Sequence, residues 1–181
     1  MIDPITEYIL NEGYILSDKT VSVDLNKFES GEAKKLIIIG LCGSGKTTLG
    51  EHLKKKYKVQ NFISDKPWPE TKAALLNSKR SIIESAGFIW MAQDLKWKKI
   101  AFSNPMILIG MSAIKAGLRA DRRDGTIPGV AKDKKEIYYF IRSNFKNFQG
   151  MYNKLRKEIL SRKDADVQPF KIPPAVAVRG I

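Results

Sequence analysis

The residues of this chain best suited to chemistry form a short glycine-rich run, GLCGSGKT, at positions 40–47. The run fits the spacing G-x-x-x-x-G-K-[ST], with the apolar stretch LIII before it and an amphipathic segment after it. Glycines at these positions let consecutive backbone N–H groups point inward, and a helix that begins near Lys46 adds the positive end of its dipole. The run therefore predicts a loop that binds phosphate groups.

Two side chains at the end of this loop are suited to bind phosphate and a metal ion. We expect Lys46 to reach the outer phosphates of ATP and the Thr47 hydroxyl to ligate Mg²⁺, because both would offset the charge that moves during phosphoryl transfer. The residues expected to bind the nucleotide are Gly40, Leu41, Cys42, Gly43, Ser44, Gly45, Lys46, Thr47 and Thr48. Cys42 is interpreted as a small loop residue rather than a reactive thiolate.

Single acidic residues close two further apolar runs. Asp65 follows FIS, and Glu84 follows SII. A phosphotransferase needs one carboxylate to orient the acceptor hydroxyl and accept its proton, and another to hold the metal and its water shell. Asp65 is the candidate for the first role and Glu84, with Thr47, for the metal. A turn or helix-capping role for Asp65 and a purely structural role for Glu84 stay open.

A group of arginines precedes a loop rich in glycine and proline. Arg119, Arg122 and Arg123 end a predicted helix, and DGTIPGV follows at 124–130. Arginine suits a lid because its planar guanidinium binds phosphate oxygens in pairs and keeps its charge. We predict a lid near residues 119–131 whose arginines act in catalysis. The alternative is an exposed helix end whose basic residues complement the helix dipole.

The elements that position these residues are indicated by apolar runs alternating with helical spacing. Four short, isoleucine-rich runs predict buried parallel strands: Leu36–Ile39, Phe62–Ile63, Ser81–Ile83 and Met106–Ile109. Four segments predict helices: 47–57, 71–79, 112–122 and 132–148. Because parallel strands need crossover connections, this alternation predicts an α/β fold with helices on both faces of a parallel sheet. Residues 1–33 fit the scheme poorly and are interpreted as an extension, an added edge strand or a docking arm.

Composition and charge restrict the class of protein. A chain of 181 residues that is 43% apolar and 28% charged fits one folded domain. One cysteine excludes an internal disulfide, and no apolar run approaches the roughly 18 residues that span a bilayer, so we expect a cytoplasmic protein. Residues 96–163 carry 17 basic and five acidic side chains, almost all of the net charge of +13. This segment predicts contact with nucleotides, DNA or RNA, unless it is simply a lysine-rich surface.

The chain resembles the small P-loop kinases, which include nucleoside, nucleotide and polynucleotide kinases. The resemblance lies in five segments: GLCGSGKTTLGEHL, FISD, SIIESAGF, MILIG and RADRRD. The resemblance covers residues 34–165. It implies a three-layer α/β/α P-loop NTPase fold, within a domain at 34–181, whose mainly parallel five-stranded sheet has the order 2-3-1-4-5 and a fifth strand within Val167–Ile172. It also implies that Asp65 is the general base or a substrate ligand and that the lid arginines clamp the transferred phosphate. The chain departs from the family by lacking D-x-D after the second strand and by carrying Glu84 where an aspartate is common.

These features predict a kinase that transfers the γ-phosphate of ATP, with Mg²⁺, to a nucleotide, nucleoside or nucleic-acid acceptor. One alternative is a nucleic-acid-binding P-loop ATPase without a small-molecule acceptor, which would track a backbone through basic runs such as KWKK at 96–99. Another is a kinase of a modified base in DNA. A regulatory GTPase is disfavoured because the chain has no Asn-Lys-x-Asp tetrapeptide.

Overall fold

In the part of the chain that the structure describes, the fold is built on one six-stranded β-sheet and the helices that pack against it. The computed structural model describes residues 20–41, 43–85, 87–91, 93–110 and 150–167. The strands are β1 (Val21–Val23), β2 (Lys35–Ile39), β3 (Asn61–Ser64), β4 (Ser81–Ser85), β5 (Met106–Leu108) and β6 (Ala165–Val167). The helices are α1 (Leu25–Glu29), α2 (Lys46–Lys56), α3 (Trp68–Leu76), α4 (Gly87–Met91), α5 (Leu95–Phe102) and α6, which covers residues 150–160.

The sheet is mixed. Its strands lie in the order β3-β4-β2-β5-β1-β6. The run from β3 to β5 is parallel throughout, whereas β1 pairs antiparallel with both β5 and β6. Parallel strands with helical crossovers define an α/β fold, so the predicted fold class is confirmed at this level.

The predicted sheet was wrong in strand count and in order. A C-terminal strand forms as β6, which shares only Val167 with the predicted range, and it pairs with β1 rather than with β5. The reason is that β1, from the N-terminal region, inserts between them with Val21 and Val23 completely buried. A three-residue run, VSV, is too short for its periodicity to assign it a place inside a sheet rather than at an edge.

The predicted elements in the parallel part of the sheet were found, with shifted ends. All four predicted strands form, and α2 begins one residue earlier than expected. Helix α3 begins at Trp68 instead of residue 71 because Pro69 occupies its first turn, where a missing N–H costs nothing. The helices predicted at 112–122 and 132–148, and the lid, lie outside the described residues.

The core is centred on β2, where Leu36, Ile37, Ile38 and Ile39 are all fully buried. A continuous apolar run is what a strand buried on both faces requires. Helix α2 covers one of these faces at very short range, since a Cβ added at Gly50 would lie 2.5 Å from the ring of Phe62 and 3.5 Å from Ile38. This close packing fixes the position of the first turn of α2 relative to β2 and β3. In the described part of the chain, no helix is both long and apolar enough to cross a membrane.

Candidate functional site

The connection between β2 and α2 carries the glycine-rich motif, and its backbone is shaped by two glycines in the left-handed region. Gly43 has φ 78° and Gly45 has φ 90°. Residues with a Cβ adopt such angles only at a cost. Between the two glycines, Ser44 donates its N–H to the carbonyl of Leu41 over 3.0 Å, which closes a tight turn. The sequence thus curls the loop immediately before the helix.

A third glycine, Gly40, is required for a different reason. A Cβ at this position would collide with the hydroxyl of Ser44 and lie 3.4 Å from the Ser44 Cβ. Ser44 is buried, and its hydroxyl has no hydrogen-bond partner among the described residues. The start of the loop therefore lies directly against its own middle, and only glycine at position 40 allows it.

The loop leads into the N-terminus of α2, which no side chain caps. Leu49 donates the first intrahelical bond, to the carbonyl of Gly45, over 3.0 Å. The N–H groups of a helix's first turn lack intrahelical acceptors, and the helix dipole adds partial positive charge there. This turn can bind an anion, and Lys46 and Thr47 are its first two residues.

Lys46 is buried, with 3% of its surface exposed, and its ammonium contacts two carboxylates. Its Nζ donates to Asp65 Oδ2 over 2.9 Å and lies 3.6 Å from Glu84 Oε2. A buried ammonium is stable only when it is paired in this way. The two acids that the sequence placed at the ends of separate strands therefore meet at the same cation.

Glu84 is completely buried, and hydroxyl groups hold one of its two oxygens. Its Oε1 accepts hydrogen bonds from Thr47 Oγ1, over 2.7 Å, and from the Ser64 hydroxyl. Its Oε2 has no hydrogen-bond partner in the described part of the chain and faces Lys46 only as an ion pair. The strand register explains the arrangement, because Ser64 and Glu84 are direct partners across β3 and β4 and so share a face of the sheet.

Asp65 differs from Glu84 in being half exposed. It follows β3 directly, with φ 41°, a left-handed conformation that aspartate tolerates better than most residues. Its N–H donates to the Glu84 carbonyl over 3.1 Å, which continues the β3–β4 pairing by one residue. The side chain of Asp65 is 48% exposed, so one carboxylate of the pair faces solvent while the other is enclosed.

The structure brings together four of the residues singled out from sequence: Lys46, Thr47, Asp65 and Glu84. Thr48 lies next to them in α2 and is half-buried. Gly40, Leu41, Gly43, Ser44 and Gly45, also predicted to bind the nucleotide, form the loop that leads into α2. The other predicted site residues, Cys42, Arg119, Arg122 and Arg123, lie outside the described residues.

Sequence reasoning missed Ser64. Its hydroxyl bonds to Glu84, but from sequence it is one of many small polar residues at a strand end. A signal was present in the strand alternation, since Ser64 shares a face with Phe62, whose ring packs on α2. That alternation gives the face of the sheet on which Ser64 lies, but it does not give Glu84 as its partner, because the partner across β4 depends on strand register.

Three aromatic side chains pack against one another on α3, α4 and α5. The ring of Trp68 lies edge-on to Phe88 and to Trp97, with centroid separations of 5.9 Å and 6.3 Å. Lys72 lies over both indoles, 5.9 Å from the Trp68 centroid and 5.2 Å from that of Trp97. These contacts are those of packed aromatic rings.

Among the described residues, no group of three or more His, Cys, Asp and Glu side chains could hold a metal ion by itself. The pairing of one hydroxyl with one carboxylate suits a cation that keeps most of its waters and takes further ligands from a bound phosphate, as Mg²⁺ does.

Comparisons of the chain with models of known protein families, with curated proteins and with solved structures found no match.

Proposed function

We propose that this chain is a P-loop phosphotransferase that transfers the γ-phosphate of ATP, assisted by Mg²⁺, to a nucleotide, nucleoside or nucleic-acid acceptor. We also propose that its α/β fold is that of a P-loop NTPase. The observation that carries it is a set of contacts at the N-terminus of α2. There Lys46 and Thr47 contact Asp65, which directly follows β3, and Glu84, which lies in β4.

Phosphate binding is supported by the loop geometry. The left-handed glycines Gly43 and Gly45 turn the backbone into the first turn of α2, where N–H groups lack intrahelical acceptors. Lys46 adds a full positive charge at the same end of the helix. Backbone donors and a lysine that are already in position cost no reorganisation when charge develops on transferring phosphate oxygens.

The two carboxylates support separate roles. Asp65 is solvent-accessible at the edge of the sheet, so it can reach the hydroxyl of an acceptor, orient it and accept its proton. Glu84 is enclosed and bonded to Thr47, so it is suited to fix the threonine hydroxyl rather than to meet an acceptor.

The residues fit a magnesium ion next to bound phosphates. The Thr47 hydroxyl donates its proton to Glu84, which leaves its lone pairs free for a cation, and Glu84 Oε2 is a buried oxygen without a hydrogen-bond partner among the described residues. Thr47 would hold the ion directly and Glu84 would hold it or one of its waters. When bound, Mg²⁺ would neutralise charge on the phosphate oxygens.

The charge distribution favours a second function strongly enough to test. Lys96 and Lys99 are exposed on α5, within the segment 96–163 that carries most of the net charge, whereas Lys98 pairs with Glu158 over 2.6 Å. A nucleic-acid-binding ATPase would use such a surface to contact backbone phosphates and would lose affinity steeply with salt. It would hydrolyse ATP without labelling an acceptor.

The deciding experiment is transfer of γ-labelled phosphate from ATP, with Mg²⁺, to nucleosides, nucleoside monophosphates, 5′-hydroxyl oligonucleotides and DNA that contains hydroxymethylpyrimidines. Label on one acceptor class supports the phosphotransferase and names its substrate. Label found only in free phosphate, and more of it when DNA is present, supports the ATPase.

The matched control is Lys46→Ala, checked by circular dichroism for an intact fold. This variant should lose turnover in every assay because the lysine supplies charge stabilisation at the phosphates. Wild-type turnover in Lys46→Ala would refute both functions, since each depends on the same loop.

A further inference from the structure

The two carboxylates that contact Lys46 are held very differently. Glu84 is fully buried, lies within β4 and accepts hydrogen bonds from two hydroxyl groups. The Asp65 carboxylate is 48% exposed, and the contact that holds it among the described residues is its ion pair with Lys46. Glu84 is therefore fixed, whereas Asp65 can leave without exposing a buried charge or breaking a second side-chain hydrogen bond.

We infer that Asp65 acts as an internal counter-ion that occupies Lys46 until a phosphate group replaces it. This inference rests on the proposed function, because it assigns a second role to a residue of the same site. The Lys46 ammonium is neutralised by the carboxylates of Asp65 and Glu84, and the exposed one, Asp65, is the one that a phosphate displaces.

The exchange follows from charge and burial. Lys46 is almost completely enclosed, so its ammonium needs an anion close by at all times. An entering phosphate supplies that charge with more oxygens than a carboxylate, and the N–H groups of the α2 N-terminus bind it as well. Keeping Asp65 beside Lys46 would then place two anions against each other, which favours its release.

Release of Asp65 gives the site an order of events. While the carboxylate is paired with Lys46, it is engaged by a cation and poorly placed to accept a proton from an acceptor hydroxyl. Once phosphate has taken its place, Asp65 is free at the edge of the sheet. Binding of ATP thus makes the candidate base available, and the acceptor gains its partner only after the phosphate donor is bound.

The inference predicts that removing the Asp65 charge increases affinity for phosphate anions. We would titrate ATP and, separately, inorganic tripolyphosphate into the full chain by isothermal titration calorimetry, with EDTA present so that metal binding does not contribute. Asp65→Asn should bind both ligands on the order of three- to tenfold more tightly than the wild type, the range expected for loss of one competing, partly exposed ion pair.

The control variant is Glu70→Gln. Glu70 is exposed, lies in the first turn of α3 and changes the net charge by the same amount as Asp65→Asn. It should bind both ligands like the wild type. A gain shared by both variants would reveal a general charge effect and overturn the inference.

The outcomes separate the inference from the proposed function. If wild type and Asp65→Asn bind with equal affinity, or the variant binds more weakly, Asp65 does not compete with phosphate although the loop still binds it. If neither binds ATP or tripolyphosphate, the phosphate-binding function itself fails, and the inference fails with it. If only Asp65→Asn binds, phosphate does not displace Asp65 in the wild type, and the inference is overturned although the loop itself can bind phosphate.

Discussion

The carboxylate of Glu84 has its two oxygens in different surroundings. Oε1 accepts from two hydroxyls and Oε2 faces the Lys46 ammonium, all without solvent contact. Glu84→Gln keeps the shape and one acceptor oxygen but removes the charge. We expect ATP turnover to fall on the order of 10- to 100-fold, the usual loss when a partner of a metal ligand is removed. Turnover should be measured across a range of Mg²⁺ concentrations.

The Mg²⁺ dependence distinguishes this role from simple loss of folding. In Glu84→Gln the concentration of Mg²⁺ that gives half-maximal turnover should rise, while thermal unfolding stays cooperative. An unchanged Mg²⁺ requirement at reduced turnover would assign Glu84 to positioning Lys46 instead.

His52, the chain's single histidine, lies on α2 and is partly buried. Burial lowers its pKa from the ordinary value of 6.5, and the nearby cations Lys56 and Lys55 lower it further. The unfolded chain therefore takes up a proton first as the pH falls, so stability is fully present above 6.5 and is lost as the pH falls through that value toward the folded pKa.

We predict that His52→Gln flattens this part of the pH profile. The free energy of unfolding, from urea titrations at about pH 7.5 and about pH 5.5, should fall less in the variant than in the wild type because the variant has no imidazole to protonate. Parallel profiles for the two proteins would show that other groups cause the acid loss.

The packing of α2 on the sheet depends on a glycine in the middle of the helix. A Cβ at Gly50 would lie 2.5 Å from the ring of Phe62, which lies in β3, three residues before Asp65. Gly50→Ala should destabilise the protein by about 1–3 kcal/mol, the cost of overpacking, although alanine favours helix formation. Urea denaturation measures this change.

The matched control is Gly150→Ala in α6, where a Cβ would meet no atom of the described residues within 4 Å. There the substitution should leave stability unchanged or raise it by up to about 1 kcal/mol through helix propensity. Equal effects at the two glycines would show that helix propensity, and not close packing, decides the outcome at Gly50.

Because Gly50 lies one turn after Lys46, the destabilised Gly50→Ala variant should also bind phosphate less tightly.

Some of this molecule could be predicted from its sequence because the signals are local. The loop, helix α2 and four strands each follow from a motif or from a run of apolar residues that needs no distant partner. Contacts between strands could be predicted only where the strands were expected to be neighbours. Asp65 and Glu84 are such a case, because they come at the C-terminal ends of two adjacent parallel strands. The bond from Ser64 to Glu84 depends on strand register, which a four-residue strand does not declare.

The placement of β1 depends on the whole chain. Val21 and Val23 are buried between β5 and β6, and Thr20 accepts at Oγ1 a hydrogen bond from the N–H of Gly110 over 3.1 Å. No feature of VSV itself indicates these partners, because they come from residues more than eighty positions away. The sheet is completed by long-range pairing, and this is why its outer part was wrongly predicted.

This placement makes β1 a structural part of the sheet rather than part of a separable arm. A chain that begins at residue 34 would lose both ladders that join β6 to the rest of the sheet and would expose the edge of β5. Exposed strand edges invite aggregation. We therefore predict that such a truncated chain melts without cooperativity, or aggregates, when followed by far-ultraviolet circular dichroism.

The matched test is rescue by a synthetic peptide of residues 20–33 added in trans. This peptide should restore a cooperative transition by re-forming β1. A peptide with Val21 and Val23 both changed to Asp should not, because each aspartate would bury an unpaired charge. A truncated chain that melts cooperatively at the wild-type temperature would show instead that the parallel strands fold without β1.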